Sequence, residues 1–366
     1  MRTTHVADPT DYAVLPGETL AEWLDEREMS QGQLAQRLDK STKHVNQIIN
    51  GVAPILPATA LDLESVTGIP ARFWLSREAV YREDLERIKR SKEIERSYDW
   101  LQEIPLAELR RQGAVSSTLR DKAACVIEAL RFFGVANVDT WREVYLQPQA
   151  AFRQSAAHEV SPGAVAAWLR LGQLEAEELD LPAFRTEALR AALPAIRGLI
   201  RDHEDLGSEL VRACGQAGVA IAFVPDVPGT RASGVTHWLR GRPIVQLSLR
   251  GKTDDRFWFT LFHELAHVLL HGRGEVFIES TGSQRGPETV EKEQEADRFA
   301  GDLLIPAFAA PKLADLRSLS EVRSFAEEVG VSPGVVVGRL HHDGLRPWSW
   351  GAGLKARVDF VDDSGE

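Results

Sequence analysis

The spacing of apolar and polar residues separates a helical part of the chain from a part with strands and helices that begins near residue 210. Between residues 15 and 209, apolar residues recur every three or four positions, which indicates amphipathic helices. Beyond residue 210, short apolar runs bounded by glycine and proline indicate strands, before the helical spacing returns. The pattern predicts a mainly α protein with a small β-sheet (α+β), divided into a helical bundle in 1–90, a helical middle region in 91–209 and a third domain in 210–366.

Residues 257–272, FWFTLFHELAHVLLHG, form a predicted helix that is mostly apolar but contains histidines and a glutamate that could bind a metal or act as a base. His263 and His267 lie one turn apart on the same face, so two imidazole nitrogens can bind one tetrahedral cation. Glu264 is offset from them by about 100°. That offset suits a general base beside the cation better than a third ligand.

A second predicted helix, VEKEQEADRFAGDLLIP in 290–306, offers the missing ligand. Glu293 and Asp297 fall inside its apolar stripe, which is costly for a carboxylate unless it is paired or bound to a cation. We expect Glu293 to be the third ligand and Asp297 to accept a hydrogen bond from a ligand histidine. The alternatives are an acidic first turn favoured by the helix dipole, or a salt bridge to an arginine elsewhere.

Two other histidines are weighed against this site. His271 lies one turn beyond His267, but Gly272 follows at once and indicates a helix end, where a histidine suits the last carbonyl groups. His237 lies on a predicted hairpin, Gly234 to Leu249 with a turn at 240–242. It is either an oxyanion-stabilising residue or, as we favour, an ordinary strand-face histidine.

Near the amino terminus, two short predicted helices joined by a tight turn form a helix-turn-helix. Ser30 and Ser41 are placed to cap them, and Gly51 ends the second. The outward residues suit base edges and phosphates, although a plain helical bundle would also have a polar surface. The predicted DNA contacts are Gln31, Thr42, Lys43, His44, Asn46 and Gln47. Apolar Phe73, Trp74 and Leu75 would serve either dimer formation or the core of this bundle.

Two known families are similar to these segments. HELAHVLLHG with EQEADRFAGDLLIP resembles the ImmA/IrrE metallopeptidases over roughly residues 210–350, with Ala266 where glycine is common. That resemblance implies a zincin-like domain in which Zn²⁺ is bound by His263, His267 and Glu293, with Glu264 as catalytic base. The segment from Ser30 to Leu75 is similar to the XRE helix-turn-helix of HigA-type antitoxins, which implies binding to a double-stranded DNA operator.

Composition limits the remaining possibilities. A net charge of −11 and a pI near 5.5 argue against a chain dominated by nucleic-acid contacts. We find neither a leader pattern nor an apolar run of membrane-spanning length, so we expect a cytoplasmic protein without a membrane partner. Cys125 and Cys214 are too few for a cysteine zinc site and are expected to be buried thiols.

The sequence therefore predicts a transcriptional regulator that joins operator binding to a zinc endopeptidase, latent or active. The expected substrate is a repressor- or antitoxin-type protein cleaved or controlled under stress, with a homodimer and a cognate toxin as further partners. Residues 91–209 would link the two activities and could sense a signal. One alternative is a HigA-like antitoxin whose zinc site is structural or inactive. Another is a metal-dependent hydrolase of a non-peptide bond.

Overall fold

The computed structural model describes residues 13–146, 161–201, 205–230, 232–248, 253–272, 277–280 and 287–358. It divides into two compact units, Met1–Tyr98 and Asp99–Glu366. The α+β fold class is confirmed, because helices dominate both units and one small sheet lies in the second. Within these ranges, no helix is both long enough and apolar enough to cross a membrane.

The first unit is entirely helical in its described part. Serine side chains begin two of its helices: Ser30 accepts a hydrogen bond from the Gln33 backbone while Gln33 bonds back to Ser30, and Ser41 accepts from the His44 backbone. Its helices are α1 (Pro16–Glu26), α2 (Gln31–Arg37), α3 (Thr42–Ile49), α4 (Pro57–Thr67) and α5 (Ala71–Arg96).

The core of this unit contains the residues that the helical spacing of α2 and α3 predicts to face inward: Leu34, Ala35, Leu38, Val45, Ile48 and Ile49, the last of which is half-buried. Leu34, Ala35, Leu38, Val45 and Ile48 are all buried. Trp74 is fully buried with them, and Phe73 and Leu75 pack against the same cluster. The three apolar residues at the start of α5 therefore serve the core of the bundle. That outcome decides between the two roles considered for them.

The second unit contains ten α-helices in its described residues, and 3-10 turns lie at Tyr98–Gln102, Ala310–Asp315 and Ala352–Leu354. A π-helical turn, Arg142–Leu146, follows the third of the α-helices. The helices are α6 (Leu106–Arg111), α7 (Lys122–Phe133), α8 (Val138–Trp141), α9 (Pro162–Glu178), α10 (Thr186–Gly198), α11 (Leu206–Gly215), α12 (Asp254–Leu270), α13 (Pro287–Leu304), α14 (Leu319–Val329) and α15 (Pro333–His342).

One four-stranded sheet lies in the second unit, with strand order β1-β3-β2-β4. Its strands are β1 (Ala220–Phe223), β2 (Ala232–Leu239), β3 (Arg242–Leu247) and β4 (Phe277–Ser280). β1 runs parallel to β3, and the other two pairs are antiparallel. The predicted hairpin is confirmed, but Arg242, which was predicted to lie in the turn, begins β3, and Leu249 lies outside the described residues. The turn has two residues, Arg240 and Gly241, both at positive φ as such turns require. The sequence pattern did not predict β4.

The sheet is covered by helices on both faces. On one face, Trp168 of α9 is buried with Val235 and Ile244 of the sheet, and the Gln246 side chain donates to the Trp168 carbonyl at 2.7 Å. On the other face, Val245 and Leu247 join the large core that contains α12. Helix α9, which the sequence assigns to the middle region, therefore forms one layer of the sheet domain.

Arg197 of α10 connects the ends of two helices in the second unit. Its guanidinium donates to the Leu303 and Leu304 carbonyls of α13, at 2.6 and 3.1 Å, and to the Val329 carbonyl of α14 at 2.5 Å. The last carbonyls of a helix have no partner within the helix, so these bonds satisfy groups that would otherwise be buried without one. Burial lowers the pKa of Arg197. The contact anchors α13 at its carboxyl end.

We predict that His237 makes folding sensitive to acid. Burial lowers its pKa from 6.5 to about 4, so the folded chain keeps it neutral where the unfolded chain binds a proton. The free energy of unfolding should therefore fall as pH falls below the unfolded pKa. Between pH 7 and pH 5, urea unfolding with a chelator present should show a loss about 2 kcal/mol larger in the wild type than in His237→Gln. Equal losses in both proteins would contradict this prediction.

Candidate functional site

Helix α12 buries nearly all of its side chains, so the polar groups on it must be satisfied inside the protein. Asp254 and Asp255 occupy its first turn, where the helix dipole favours acids. Gly272, at a φ of 74°, follows the helix end. His263 is 2% exposed and His267 is 1% exposed. Two buried imidazoles on one helix face need partners from elsewhere in the chain.

Glu293 of α13 meets these two histidines. The Nε2 atoms of His263 and His267 are 3.0 Å apart. Glu293 Oε2 lies 3.2 Å from His263 Nε2, and Glu293 Oε1 lies 3.8 Å from His267 Nε2. All three residues are buried, and their donor atoms lie within 4.8 Å of one another. Two imidazoles and a carboxylate at this spacing could hold one metal ion, and they are the donor types found in known His₂Glu zinc sites.

Asp297 sets the tautomer of His263. Its Oδ1 lies 2.9 Å from His263 Nδ1. An ionised carboxylate can only accept a hydrogen bond, so Nδ1 of the imidazole carries the proton. In the neutral ring, the lone pair then lies on Nε2, which faces His267 and Glu293. Asp297 thus has the position that the sequence predicted for an acceptor of a ligand N–H.

A second carboxylate acts on His267 through an intervening histidine. Glu295 Oε2 lies 3.2 Å from His271 Nε2, so that nitrogen carries the proton and His271 Nδ1 is an acceptor. His267 Nδ1 lies 2.8 Å from His271 Nδ1 and therefore donates to it. The lone pair of neutral His267 then also lies on Nε2. The His271 side chain thus contacts His267 and Glu295, and the residue lies at the carboxyl end of α12, where the sequence predicted the helix to end.

The arrangement of these hydrogen bonds fits a bound cation. Both Nδ1 atoms are used as donors, so two unprotonated Nε2 atoms and the Glu293 carboxylate face one another in a buried space. Three electron pairs at this distance repel unless a proton or a cation lies among them. A divalent ion that prefers imidazole nitrogen and carboxylate oxygen satisfies all three groups together.

Glu264 is held against the sheet rather than beside α13. It is fully buried, and the Thr236 hydroxyl of β2 lies 2.7 Å from its Oε2. Gly234, two residues earlier on the same strand face, leaves room for it: a Cβ at that position would lie 2.6 Å from Thr260 Cγ2 and 2.8 Å from Glu264 Oε1. Any larger residue there would displace the glutamate.

His237 lies on the opposite face of the sheet from Glu264. Side chains alternate along a strand, so His237 points away from the helix that its neighbour Thr236 contacts. It is 3% exposed and lies on the same sheet face as Gln246, under α9. Of the two roles considered for it, this position supports the strand-face histidine.

The predicted DNA contacts occupy one surface of the first unit. Thr42, Lys43 and Asn46 are exposed, whereas Gln31, His44 and Gln47 are half-buried. The Asn46 amide nitrogen of α3 donates to Gln31 Oε1 of α2 at 3.2 Å. That bond joins the two helices at their polar face and holds both amides in place. Amide groups of this kind can donate to and accept from base edges.

Comparison with known proteins assigns both ends of the chain. Residues 214–341 match the family model described as the IrrE N-terminal-like domain, Peptidase_M78, and residues 20–74 match a helix-turn-helix family model. The chain carries a helix-turn-helix domain followed in sequence by an IrrE-like peptidase domain. A solved structure of an addiction module antidote protein of a HigA family from Coxiella burnetii is 38% identical over 23% of this chain and 92% of its own, with a TM-score of 0.22. No curated protein matches the chain.

Sequence reasoning missed three residues around the centre of the IrrE-like domain. The helical spacing places Glu295 opposite the apolar stripe of its helix. Its side chain is 57% exposed, yet it reaches His271. Thr236 gave no signal in the sequence, because an ordinary strand threonine looks the same. Gly234 could have been noticed, since a glycine inside a strand often marks a close approach of another backbone or ligand.

We predict graded effects of three carboxylates of α13 on zinc binding by the IrrE-like domain. Glu293→Gln removes a proposed ligand and should lower zinc affinity by at least about 100-fold. Glu295→Gln should lower it by about 10-fold, in the range seen when a group behind a metal ligand is lost. Glu291→Gln is the matched control, since Glu291 is exposed on the same helix. Competition against a zinc-binding dye measures all three, and equal affinities for Glu295→Gln and Glu291→Gln would refute the role of Glu295.

Proposed function

We propose that this chain is a transcriptional regulator that joins operator binding to zinc-dependent proteolysis. Its substrate would be a repressor- or antitoxin-type partner protein, cleaved or controlled under stress. The observation that carries the proposal is the convergence of His263, His267 and Glu293 on one point, with Glu264 buried on the same helix as the histidines. A helix-turn-helix domain in the same chain supplies the link to transcription.

The residues around the centre have distinct roles in this proposal. His263, His267 and Glu293 would hold Zn²⁺, which when bound polarises a carbonyl group and makes water more acidic. Glu264 would take a proton from the attacking water and deliver it to the leaving amine. Thr236 holds the Glu264 carboxylate by its hydroxyl, which limits the directions in which that carboxylate can accept a proton.

The sheet supports a peptide as substrate. β4 lies at one end of the strand order, and no strand among the described residues pairs with its outer edge. An extended peptide can add to such an edge by backbone hydrogen bonds, which gives affinity with little dependence on side chains. β2, the neighbour of β4, carries the threonine that contacts Glu264.

Partners of the first unit are also part of the proposal. Three large apolar side chains are exposed within a stretch of ten residues, 52–61, of the DNA-binding module. Val52 is 68% exposed, Leu56 58% and Leu61 59%. Such a concentration is typical of a surface that another protein covers. We propose that it joins two copies into a homodimer on two operator half-sites. A cognate toxin is the other candidate for this surface.

We predict that Glu264→Gln separates proteolysis from every other property of the chain. The amide keeps the shape of the carboxylate but cannot take a proton, so cleavage of the partner should fall by at least about 100-fold. Zinc content and operator affinity should equal those of the wild type. The measurement compares cleavage of the partner in cells, zinc per chain and operator binding for both proteins.

The same variant tests the competing functions. If the chain is a HigA-like antitoxin with a structural or inactive zinc site, the cellular phenotype survives Glu264→Gln unchanged. If it hydrolyses a non-peptide bond, the variant changes the phenotype although no partner protein is cleaved in the wild type. Either result would overturn the proteolytic function and leave the DNA-binding role to be judged separately.

We predict that alanine at Asn46 or Gln47 weakens binding to the specific operator by about 5- to 100-fold, because each loses contacts to a base edge. Lys43→Ala should weaken binding to all DNA sequences and reduce the slope of log affinity against log salt concentration by about 1. Lys92→Ala removes the same charge from the exposed face of α5 and is the control. Fluorescence anisotropy with operator and scrambled duplexes over a salt series measures these effects. Operator binding that is unchanged in all three variants would reject the assigned surface.

A further inference from the structure

A cavity of about 460 Å³ opens beside the candidate metal centre, between α12, α13 and α15. This volume lies in the range of pockets that enclose a small ligand, about 300–1,000 Å³. Its apolar wall includes Phe259, Leu304, Ile305, Val335 and Trp348. Trp348 is 66% exposed, so this aromatic side chain forms part of the wall while remaining open to solvent.

The cavity shares residues with the candidate centre. Asp297, which bonds to His263, lines it, and so does Thr260, one turn before Glu264 on α12. The Phe259 ring, also in its wall, lies 6.1 Å from the His263 ring between centroids. A group bound in the cavity is therefore in direct contact with residues that hold the centre in place.

The wall contains three aspartates and three arginines, so their formal charges balance. Asp255 is paired with Lys355 at 2.6 Å, and Arg339 is paired with Asp343 at 2.7 Å. Arg256, Arg298 and Asp302 are exposed and carry both signs of charge. An occupant therefore does not need to supply a charge, and the apolar wall favours a neutral apolar group.

Glycine shapes the floor of the cavity. Gly301 of α13 lines it, and a Cβ at that position would lie 2.8 Å from Nη1 of Arg339, the flexible end of a side chain that can shift. A larger residue at position 301 would therefore enter the cavity with little strain on the backbone. This makes it possible to fill the cavity without disturbing the helices that surround it.

We propose that this cavity binds a bulky apolar side chain of the substrate peptide, adjacent to the bond that is cleaved. The proposal rests on the proposed peptidase function, because it takes the neighbouring centre as the place of reaction. It adds a substrate class: peptides with leucine-sized or larger apolar residues at this position. Selection would come from burial of the side chain, which is worth more for isobutyl than for methyl.

Two hydroxamates with the same peptide backbone test this proposal on the full-length, zinc-loaded chain. One carries an isobutyl group and the other a methyl group on the carbon next to the chelating group. Titration calorimetry should show the isobutyl compound binding about 10- to 100-fold more tightly. Removing zinc should abolish binding of both, because the chelating group has then lost its partner.

Variants then assign this preference to the cavity. Trp348→Ala removes part of the wall and should reduce the isobutyl-to-methyl ratio by about fivefold. Gly301→Leu fills the cavity and should weaken the isobutyl compound while leaving the methyl compound unchanged. Phe308→Ala is the matched control, since Phe308 is an aromatic residue that is 81% exposed and lies outside the cavity wall. The ratio should remain at its wild-type value in that variant.

Different results would overturn the side-chain pocket and the proposed peptidase function. Equal, zinc-dependent affinities of the two hydroxamates would overturn the side-chain pocket and leave the proposed metal centre intact. A wild-type preference that persists in both Trp348→Ala and Gly301→Leu would also overturn the pocket. If neither compound binds a chain that contains zinc, the proposed peptidase function falls and the pocket proposal falls with it.

Discussion

Three buried proton acceptors that face one another impose the strictest constraint on the second unit. His263 and His267 direct lone pairs toward each other at 3.0 Å, and Glu293 adds a carboxylate from a different helix. Such a group is unfavourable in a low-dielectric interior unless a proton or a cation lies within it. The fold must therefore hold α12 and α13 in one relative position, and the contacts of Arg197 with the end of α13 contribute to that.

The residues that hydrogen-bond to the two histidines have roles as specific as those of the histidines. Asp297 and the His271–Glu295 pair each determine which nitrogen of a histidine carries the proton. This gives two exposed carboxylates of α13 a role at the centre. Asp297 was expected inside the apolar stripe of its helix, but its side chain is 53% exposed because it lies at the edge of that stripe and reaches His263 from there. Hydrogen bonds of this kind orient a ligand and raise its basicity, so they tune a metal site without touching the metal.

The helix-turn-helix unit satisfies a different and simpler requirement. Its helices are short, and serine caps define where α2 and α3 begin. A compact apolar core fixes the angle between them, and the Gln31–Asn46 bond adds a polar link on the exposed side. Nearly all of this is local in the chain. A local module of this kind can be joined to many partner domains while keeping its own surface for recognition.

The sequence by itself determined the features that depend on neighbouring residues. Helical spacing placed His263 and His267 on one face, serine caps marked the two short helices, and Glu293 stood out as an acid within an apolar stripe. The α+β class and both domain types also followed from the sequence.

Only the tertiary structure decided which distant residues meet. Periodicity describes one element at a time, so it could not show that Thr236 holds Glu264, that Glu295 reaches His267 through His271, or that β4 completes the sheet. It also could not show α9 as a layer on the sheet, because that contact joins segments far apart in the chain. These contacts depend on how helices and strands pack, and the pattern within any single element contains no information about its neighbours.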